Sequence, residues 1–395
     1  MKYDNLLRYA VRVVDAYNGE KPLHIWLKDF FRANPQMGSR DRKLVSEMAY
    51  CFYRLGHSLN RAETGGRILA GLFLCNELPL PALEYLKPEW HEAIGKPVEE
   101  KIEILRKTFP DFSIEQIFPF ENLLSKGVDH SAWCLSFLKK PELFIRIRKG
   151  KEEAVLSKLL EKKVVFKEHI PDDQLFFKAL SFPNGTRLDE VLDLNREAVV
   201  QDLSSQKTGS FMKMPDADPE KIIHAWDCCA ASGGKSILLA DLYPTLDLTV
   251  SDIRKSILEN LRKRFAEAGI IRYQAFEGDL TVEKEVPRQL FNLIIADLPC
   301  TGSGTWSRTP EALYFFNPDT IAQYRKRQDR ILSNVLCNLK PGGMIVYITC
   351  SVFAAENEQV SESLAGRGFQ MVKQNMIPGY ADRADCLFAS CFRKP

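Results

Sequence analysis

From residue 222 onward the chain repeats one rhythm: a short apolar run, a turn carrying an acidic residue, then a helical segment. The runs fall at residues 222–226, 248–250, 273–276, 293–296 and 344–348. Alternation of this kind predicts a largely parallel sheet with helices on both faces, because parallel neighbours need a crossover between them. Few other patterns constrain a chain so tightly. In such sheets ligands bind outside the carboxyl ends of the strands. The residues able to do chemistry stand at those predicted ends: Asp227, Asp252, Asp279, Asp297 and Cys350.

The first of these strands runs into Asp-Cys-Cys-Ala-Ala-Ser-Gly-Gly-Lys-Ser, residues 227–236. Small side chains over Cys229, Ala230, Ala231, Ser232, Gly233 and Gly234 let a ligand approach the backbone, and Lys235 opens a helix whose first N–H groups are unpaired. Asp252, 18 residues beyond Gly234, suits the hydroxyls of a ribose. Asp279, at the predicted end of the third strand, suits an adenine amino group. The turn also comes close to a phosphate-binding loop, which would make the chain a nucleotide hydrolase or kinase. That match fails at its first glycine, where Cys229 stands, and leaves the later motifs unexplained.

The fourth strand ends in Ala-Asp-Leu-Pro-Cys-Thr-Gly-Ser-Gly-Thr-Trp, residues 296–306, and the fifth in Tyr-Ile-Thr-Cys-Ser, residues 347–351. Neighbouring strands would bring Cys300 and Cys350 into one crevice. A lone strand-end cysteine is a packing residue. Two of them in Pro-Cys-Thr-Gly and Thr-Cys-Ser settings, with Asp297 three residues before the first, point to covalent chemistry instead. Cys228 and Cys337 read as packing. Position alone does not say which of the pair attacks.

The other cysteines narrow the chemistry by what they lack. Ten are spread from Cys51 to Cys391 with no C-x-x-C pair, so neither a disulfide framework nor a metal site is predicted. The apolar share of 45% and charged share of 27% are those of a globular protein. With no signal-like N-terminus and no apolar run near 20 residues, a cytoplasmic location is expected. The net charge of +2 carries no global nucleic-acid signal. Basic clusters at residues 40–43, 146–151, 262–264 and 325–330 read individually as solvated faces, and only their convergence would make a phosphate surface.

Upstream, the first ~75 residues read as helices. Leu44, Met48 and Phe52, with Val45, Ala49 and Tyr53 beside them, mark one buried helix face, and Ser39 suits its N-cap. Another helical segment falls at residues 99–108. A strand is predicted at 143–147, a helix at 152–161 and a second strand at 164–166, together a small α+β unit reaching residue 197.

These motifs together resemble the RsmB/Sun family of RNA cytosine carbon-5 methyltransferases. The resemblance rests on the 227–236 turn, on Asp-Leu-Pro-Cys-Thr-Gly-Ser-Gly-Thr-Trp, on Thr-Cys-Ser followed by Ala-Glu-Asn-Glu-Gln, and on Val-Gln-Asp-Leu-Ser-Ser-Gln at residues 200–206. It extends to Leu-Arg-Tyr-Ala-Val-Arg-Val-Val at 7–14, to the 39–54 segment, similar to the family's NusB-like RNA-binding domain, and to Pro141–Arg148, similar to its linking domain. It implies three parts: a shortened NusB-like helical domain over 1–138, a small α+β linking domain over 139–197, and a class I, Rossmann-like domain with a mostly parallel seven-stranded sheet over 198–395. It further implies S-adenosyl-L-methionine as cofactor, held by residues 229–235, Asp252, Asp279 and Asp297, and small-subunit ribosomal RNA as partner. Cys350 would be the nucleophile, Cys300 would assist product release, and Asp297 would hold the base. The rival from another class is a non-catalytic RNA-binding or ribosome-assembly factor on the same fold. Trp306, Phe315 and Phe316 are candidates either for holding RNA or for ordinary core packing. The chain departs from the family's pattern at Ser232, where proline is usual, at Ser236 for threonine, at Arg148 for asparagine, and at Asp385–Phe388, Asp-Cys-Leu-Phe for Asp-Gly-Phe-Phe.

Overall fold

The computed structural model describes residues 2–215, 218 and 220–395. The chain forms two compact units, one of residues 1–122, 129–140 and 305–317, the other of 123–128, 141–304 and 318–395.

The first unit is helical. Helices span Tyr3–Ala16, Leu23–Ala33, Ser39–Arg54, Thr64–Cys75 and Val98–Arg106. Val45, Met48, Ala49, Phe52 and Tyr53 are buried along one face of the third, as the apolar spacing predicts. Ser39 is its first residue and not its N-cap: Gly38 takes that position, and no side chain caps the helix. Residues 305–317, far along the sequence, complete this unit. His57 Nε2 lies 3.1 Å from the Leu313 carbonyl, and the Leu23 N–H donates to Glu311. Trp306 is buried there, against Phe118 and Phe316, and Phe315 packs on Tyr17 and Tyr53. These three aromatics therefore pack within the helical unit.

The second unit holds two sheets. In the smaller, β1 (Leu143–Ile147) lies between β3 (Ala179–Phe182) and β4 (Ala198–Val200), with β2 (Lys167–His169) beyond β3, all antiparallel. The predicted strand at 164–166 is extended chain leading into β2, which starts one residue later. One face of this sheet packs Ile145, Ile147, Leu180 and Phe182 on Val155 and Leu159 of the helix Glu152–Glu161. Its other face is also covered, with Phe144 and Ala179 against Leu203 and Ala384.

The larger sheet has seven strands: β5 (Ile223–Asp227), β6 (Leu246–Asp252), β7 (Tyr273–Glu277), β8 (Phe291–Asp297), β9 (Leu339–Thr349), β10 (Gln370–Pro378) and β11 (Cys386–Arg393), in the order 10-11-9-8-5-6-7. Strands β5 to β9 run parallel, and β11 is antiparallel to β9 and β10. Being covered on both faces, the central strands are nearly continuous apolar runs. Ala225, Val250, Ile295 and Val346 pack on Ile237, Leu258, Leu261 and Phe265 from the helices Gly234–Leu242 and Lys255–Ala268. On the opposite face Tyr347 reaches the Glu356 carbonyl. Strand order reverses between β5 and β8, and a ligand crevice opens at such a reversal. No helix among the described residues is long and apolar enough to cross a membrane.

Candidate active site

The turn after β5 is shaped by backbone conformation. Ala231 and Gly233 both have positive φ, 46° and 83°. At Gly233 a Cβ would also meet Phe265 at 2.7 Å, so the position excludes side chains twice over. The turn is tied to its neighbours by Cys228 N–H to Ile295 O and Ala230 N–H to Ser251 O, both 2.9 Å. Asp227 ends β5 fully buried and accepts from Ser236 Oγ at 2.6 Å. Burial lifts its carboxyl to about 7, against the opposing pull of Ser236.

Asp252 ends β6 and accepts from the Ala231 N–H at 3.1 Å, the Arg254 N–H at 2.9 Å and the Arg254 guanidinium at 3.1 Å. Asp279 stands two residues past the end of β7. Its carboxylate accepts from the Thr281 N–H and hydroxyl, at 3.0 and 2.8 Å, which hold it below the usual carboxylate range.

Asp297 ends β8 and receives Lys235 Nζ at 2.7 Å. Burial alone would drive that ammonium down; the charge and hydrogen bond of Asp297 outweigh it and hold the lysine protonated. Lys235, expected to serve the cofactor turn, thus reaches across to the cysteine side of the crevice. Cys300 and Cys350 follow β8 and β9, and their sulfurs lie 3.4 Å apart as free thiols. The hydrogen bond with Cys350 and burial push the Cys300 thiol well up. Gly304 lets the two cysteine loops approach: its N–H donates to Cys350 O at 2.9 Å, and a Cβ there would stand 2.0 Å from Cys386 O.

A cleft of about 400 Å³ is lined by Cys229, Ala231, Asp252, Asp279, Asp297, Cys300 and Cys350. Other members of the expected cofactor set support the turn from beneath. Ala230 is buried, Ser232 accepts from Arg264 at 2.8 Å, Gly233 packs on Phe265, and Gly234 starts the helix. Sequence reasoning missed Tyr324, Arg327 and Ile331, which line the same cleft from the helix Asp319–Val335. Only the RKR run of that helix hinted at them. Cys228 is buried as expected, whereas Cys337, in the short 3-10 turn Leu336–Asn338, is exposed. No group of three or more possible ligands among the described residues could hold a metal ion.

The basic clusters divide. Arg146 and Arg148 are not a solvated face: both pair with Asp241, at 2.5 and 2.6 Å, and Arg146 is 1% exposed. Arg264 is spent on Ser232 and Asn195, and Arg325 on Asp329 and the Ala355 carbonyl.

Comparison with known proteins adds sequence evidence to this geometry. The family described as 16S rRNA methyltransferase RsmB/F matches residues 216–376. Ribosomal RNA small subunit methyltransferase B of Salmonella arizonae is 33% identical over 159 residues, which are 40% of this chain and 36% of that protein. The probable enzyme of the same name from Coxiella burnetii is 24% identical over 75% of this chain and 73% of its own length. The chain thus spans about a third of the first relative and about three quarters of the second. Among solved structures, a methyltransferase homolog from Pyrococcus horikoshii superposes with a TM-score of 0.57 at 21% identity, over 68% of this chain and 92% of that one. NSun6 from the same organism superposes with a TM-score of 0.59 at 15% identity, over 70% and 96%. Such identities speak for the fold, and the sequence comparison adds a likeness: residues 216–376 match the family described as 16S rRNA methyltransferase RsmB/F.

Proposed function

We propose that the protein methylates carbon 5 of a cytosine in RNA, with small-subunit ribosomal RNA as substrate, through a covalent bond between Cys350 and the base. The observation that carries this reading is the meeting, in one cleft, of two free thiols 3.4 Å apart with an Asp297–Lys235 pair. The family match and the names of the relatives support methyl transfer to ribosomal RNA.

The residues present fit S-adenosyl-L-methionine. Asp252, at a strand end with its carboxylate in the cleft, is the acceptor a ribose diol needs, and Asp279 is the acceptor an adenine amino group needs. The backbone between Ala231 and Gly234 carries no side chain large enough to block an approach; a Cβ at Gly234 would meet nothing within 4 Å. Bound there, the cofactor supplies an electrophilic methyl group.

The chain's own residues do the rest. Carbon 5 of cytosine is a weak nucleophile until a thiolate adds to carbon 6 and makes the ring enamine-like. Cys350 forms that C6–S bond. Cys300, kept a thiol, donates a hydrogen bond to the attacking sulfur. Asp297, with Lys235 beside it, holds the pairing edge of the base, where charge develops. After transfer Cys300, having given its own proton to solvent, takes the carbon 5 proton; the C–H electron pair restores the C5–C6 double bond as the C6–S bond breaks and returns the Cys350 thiolate. The base must be unpaired or flipped out, because a stacked duplex shields carbon 6.

The test is adduct formation on RNA. With cofactor present, Cys300→Ala should accumulate a protein–RNA species that survives denaturing electrophoresis, and Cys300→Ala/Cys350→Ala should form none. An adduct that persists in the double variant would overturn the assignment of Cys350.

A further inference from the structure

Beneath the two cysteine loops lies a carboxylate that the reaction outlined above does not use. Glu356 is fully buried. Its Oε1 accepts the Thr301 N–H at 2.9 Å and the Gln328 amide at 3.3 Å; its Oε2 accepts the hydroxyls of Thr301 at 2.6 Å and Ser351 at 2.5 Å. Thr301 follows Cys300 and Ser351 follows Cys350, so one side chain grips both cysteine loops at the adjacent residue. The grip is braced on each side. Gln328 also donates to the Pro299 carbonyl at 3.0 Å, Ser351 Oγ accepts the Phe353 N–H at 3.0 Å, and Ser303 Oγ accepts the Val352 N–H at 2.9 Å.

We propose that Glu356 is a positioning residue that fixes the spacing of Cys300 and Cys350 and, through its charge, selects Cys350 as the sulfur that reacts. The inference rests on the two-cysteine reading above but concerns the thiols themselves, whatever the RNA. Four donors converge on the carboxylate, filling its lone pairs, and that set suits the ionised form. Burial pulls the other way, raising its protonation range, with the hydroxyls of Ser351 and Thr301 opposing. A buried negative charge beside Cys300 disfavours a second one there, and Glu356 is among the groups that push the Cys300 thiol up. Cys350 is close enough to the Lys235 ammonium to act on its charge. Other charges near the pair include Asp297, bound to Lys235, Asp227, which acts on the same lysine, and Arg325 and Asp329, which act on Tyr347. Cys300 thus feels the Glu356 charge, and Cys350 the Lys235 charge of opposite sign.

The experiment is site-resolved alkylation of the folded full chain with iodoacetamide at neutral pH, without RNA or cofactor, each cysteine being followed on its own peptide by mass spectrometry. In the unsubstituted protein Cys350 should react faster than Cys300. Glu356→Gln keeps the size but removes the charge and turns one of the two acceptor oxygens into a donor amide; it should raise Cys300 alkylation by about fivefold or more relative to Cys350, since thiolate fraction follows pKa tenfold per unit. Glu356→Asp, which keeps the charge, should restore most of the preference. A residue that merely supported the loops would change both rates together, and would do so in the aspartate variant as well. An unchanged Cys350-to-Cys300 ratio in Glu356→Gln, in protein whose thermal midpoint shows it folded, would overturn the proposal. That outcome would leave the methylation reading intact, because the adduct experiment decides that separately.

Discussion

Gly304→Ala is the substitution whose effect follows most directly from distances. A Cβ at this position would lie 2.0 Å from the Cys386 carbonyl oxygen and 3.0 Å from that of Cys350, both backbone atoms that no rotamer change can remove. Contact at van der Waals distance requires relative movement of more than about 1 Å. Either β11 or the loop holding Cys300 must shift, and the Gly304 N–H to Cys350 O hydrogen bond stretches with it. Displacements near 1 Å at reacting groups cost on the order of 100-fold in rate. The cofactor turn at 227–236 lies after a different strand and should be untouched. Single-turnover methyl transfer by the variant is therefore expected to fall about 100-fold with cofactor affinity within about twofold, measured by calorimetry on the same preparation. Transfer at the unsubstituted rate would refute the claim that this glycine sets the spacing of the cysteine loops. A matching loss of cofactor affinity would show that the damage is general.

Other perturbations test the scaffold and its charges. Asp241→Asn removes the shared counterion of Arg146 and Arg148 and should destabilise the protein by about 3–5 kcal/mol in chemical denaturation, whereas Arg148→Asn, which keeps the buried Arg146–Asp241 pair, should cost clearly less. Equal effects would mean the pair is not the stabilising element. Asp227→Asn tests a buried carboxyl whose folded value is raised to about 7. Because the folded state holds that proton more tightly than the unfolded state, the stability of the unsubstituted protein relative to the variant should fall as pH rises from about 4 to about 7, by up to about 4 kcal/mol, and stay level above. Parallel stability curves for the two proteins across that window would contradict the assignment.

The C-terminal half was legible because its central strands are buried on both faces and announce themselves as apolar runs. β6, β7, β8 and β9 all contain their predicted segments and β5 starts one residue late, and Asp252, Asp279, Asp297, Cys300 and Cys350 meet in one cleft. β10 and β11 were not individually legible. β10 is an edge strand whose Gln370, Lys373, Gln374 and Asn375 break the apolar signal, and β11 mixes Ser390 with two cysteines. Pairing across the chain was also invisible. Nothing local in residues 305–317 says that they complete a helical unit some 200 residues upstream, and nothing in RIRKGK says that its first two arginines are buried on Asp241. Within the site, residue type and spacing gave the first layer of groups. The hydrogen-bond network under them, and the direction in which Lys235 points, depend on side-chain geometry that one-dimensional spacing does not contain.

On the second face of the small sheet, Phe144 and Ala179 pack on Leu203, from the helix Leu203–Lys207, and on Ala384, two residues before β11. Tyr324, Arg254 and Arg327 are among the residues that line the cleft.

The most direct test of the central claim is transfer of tritiated methyl from S-adenosyl-L-methionine to ribosomal RNA taken from cells lacking the protein, with the unsubstituted chain and Cys350→Ala compared side by side. The account predicts label on cytosine carbon 5 with the first, and none with the second although its cofactor binding is intact. Label at another atom, or undiminished label with Cys350→Ala, would contradict it.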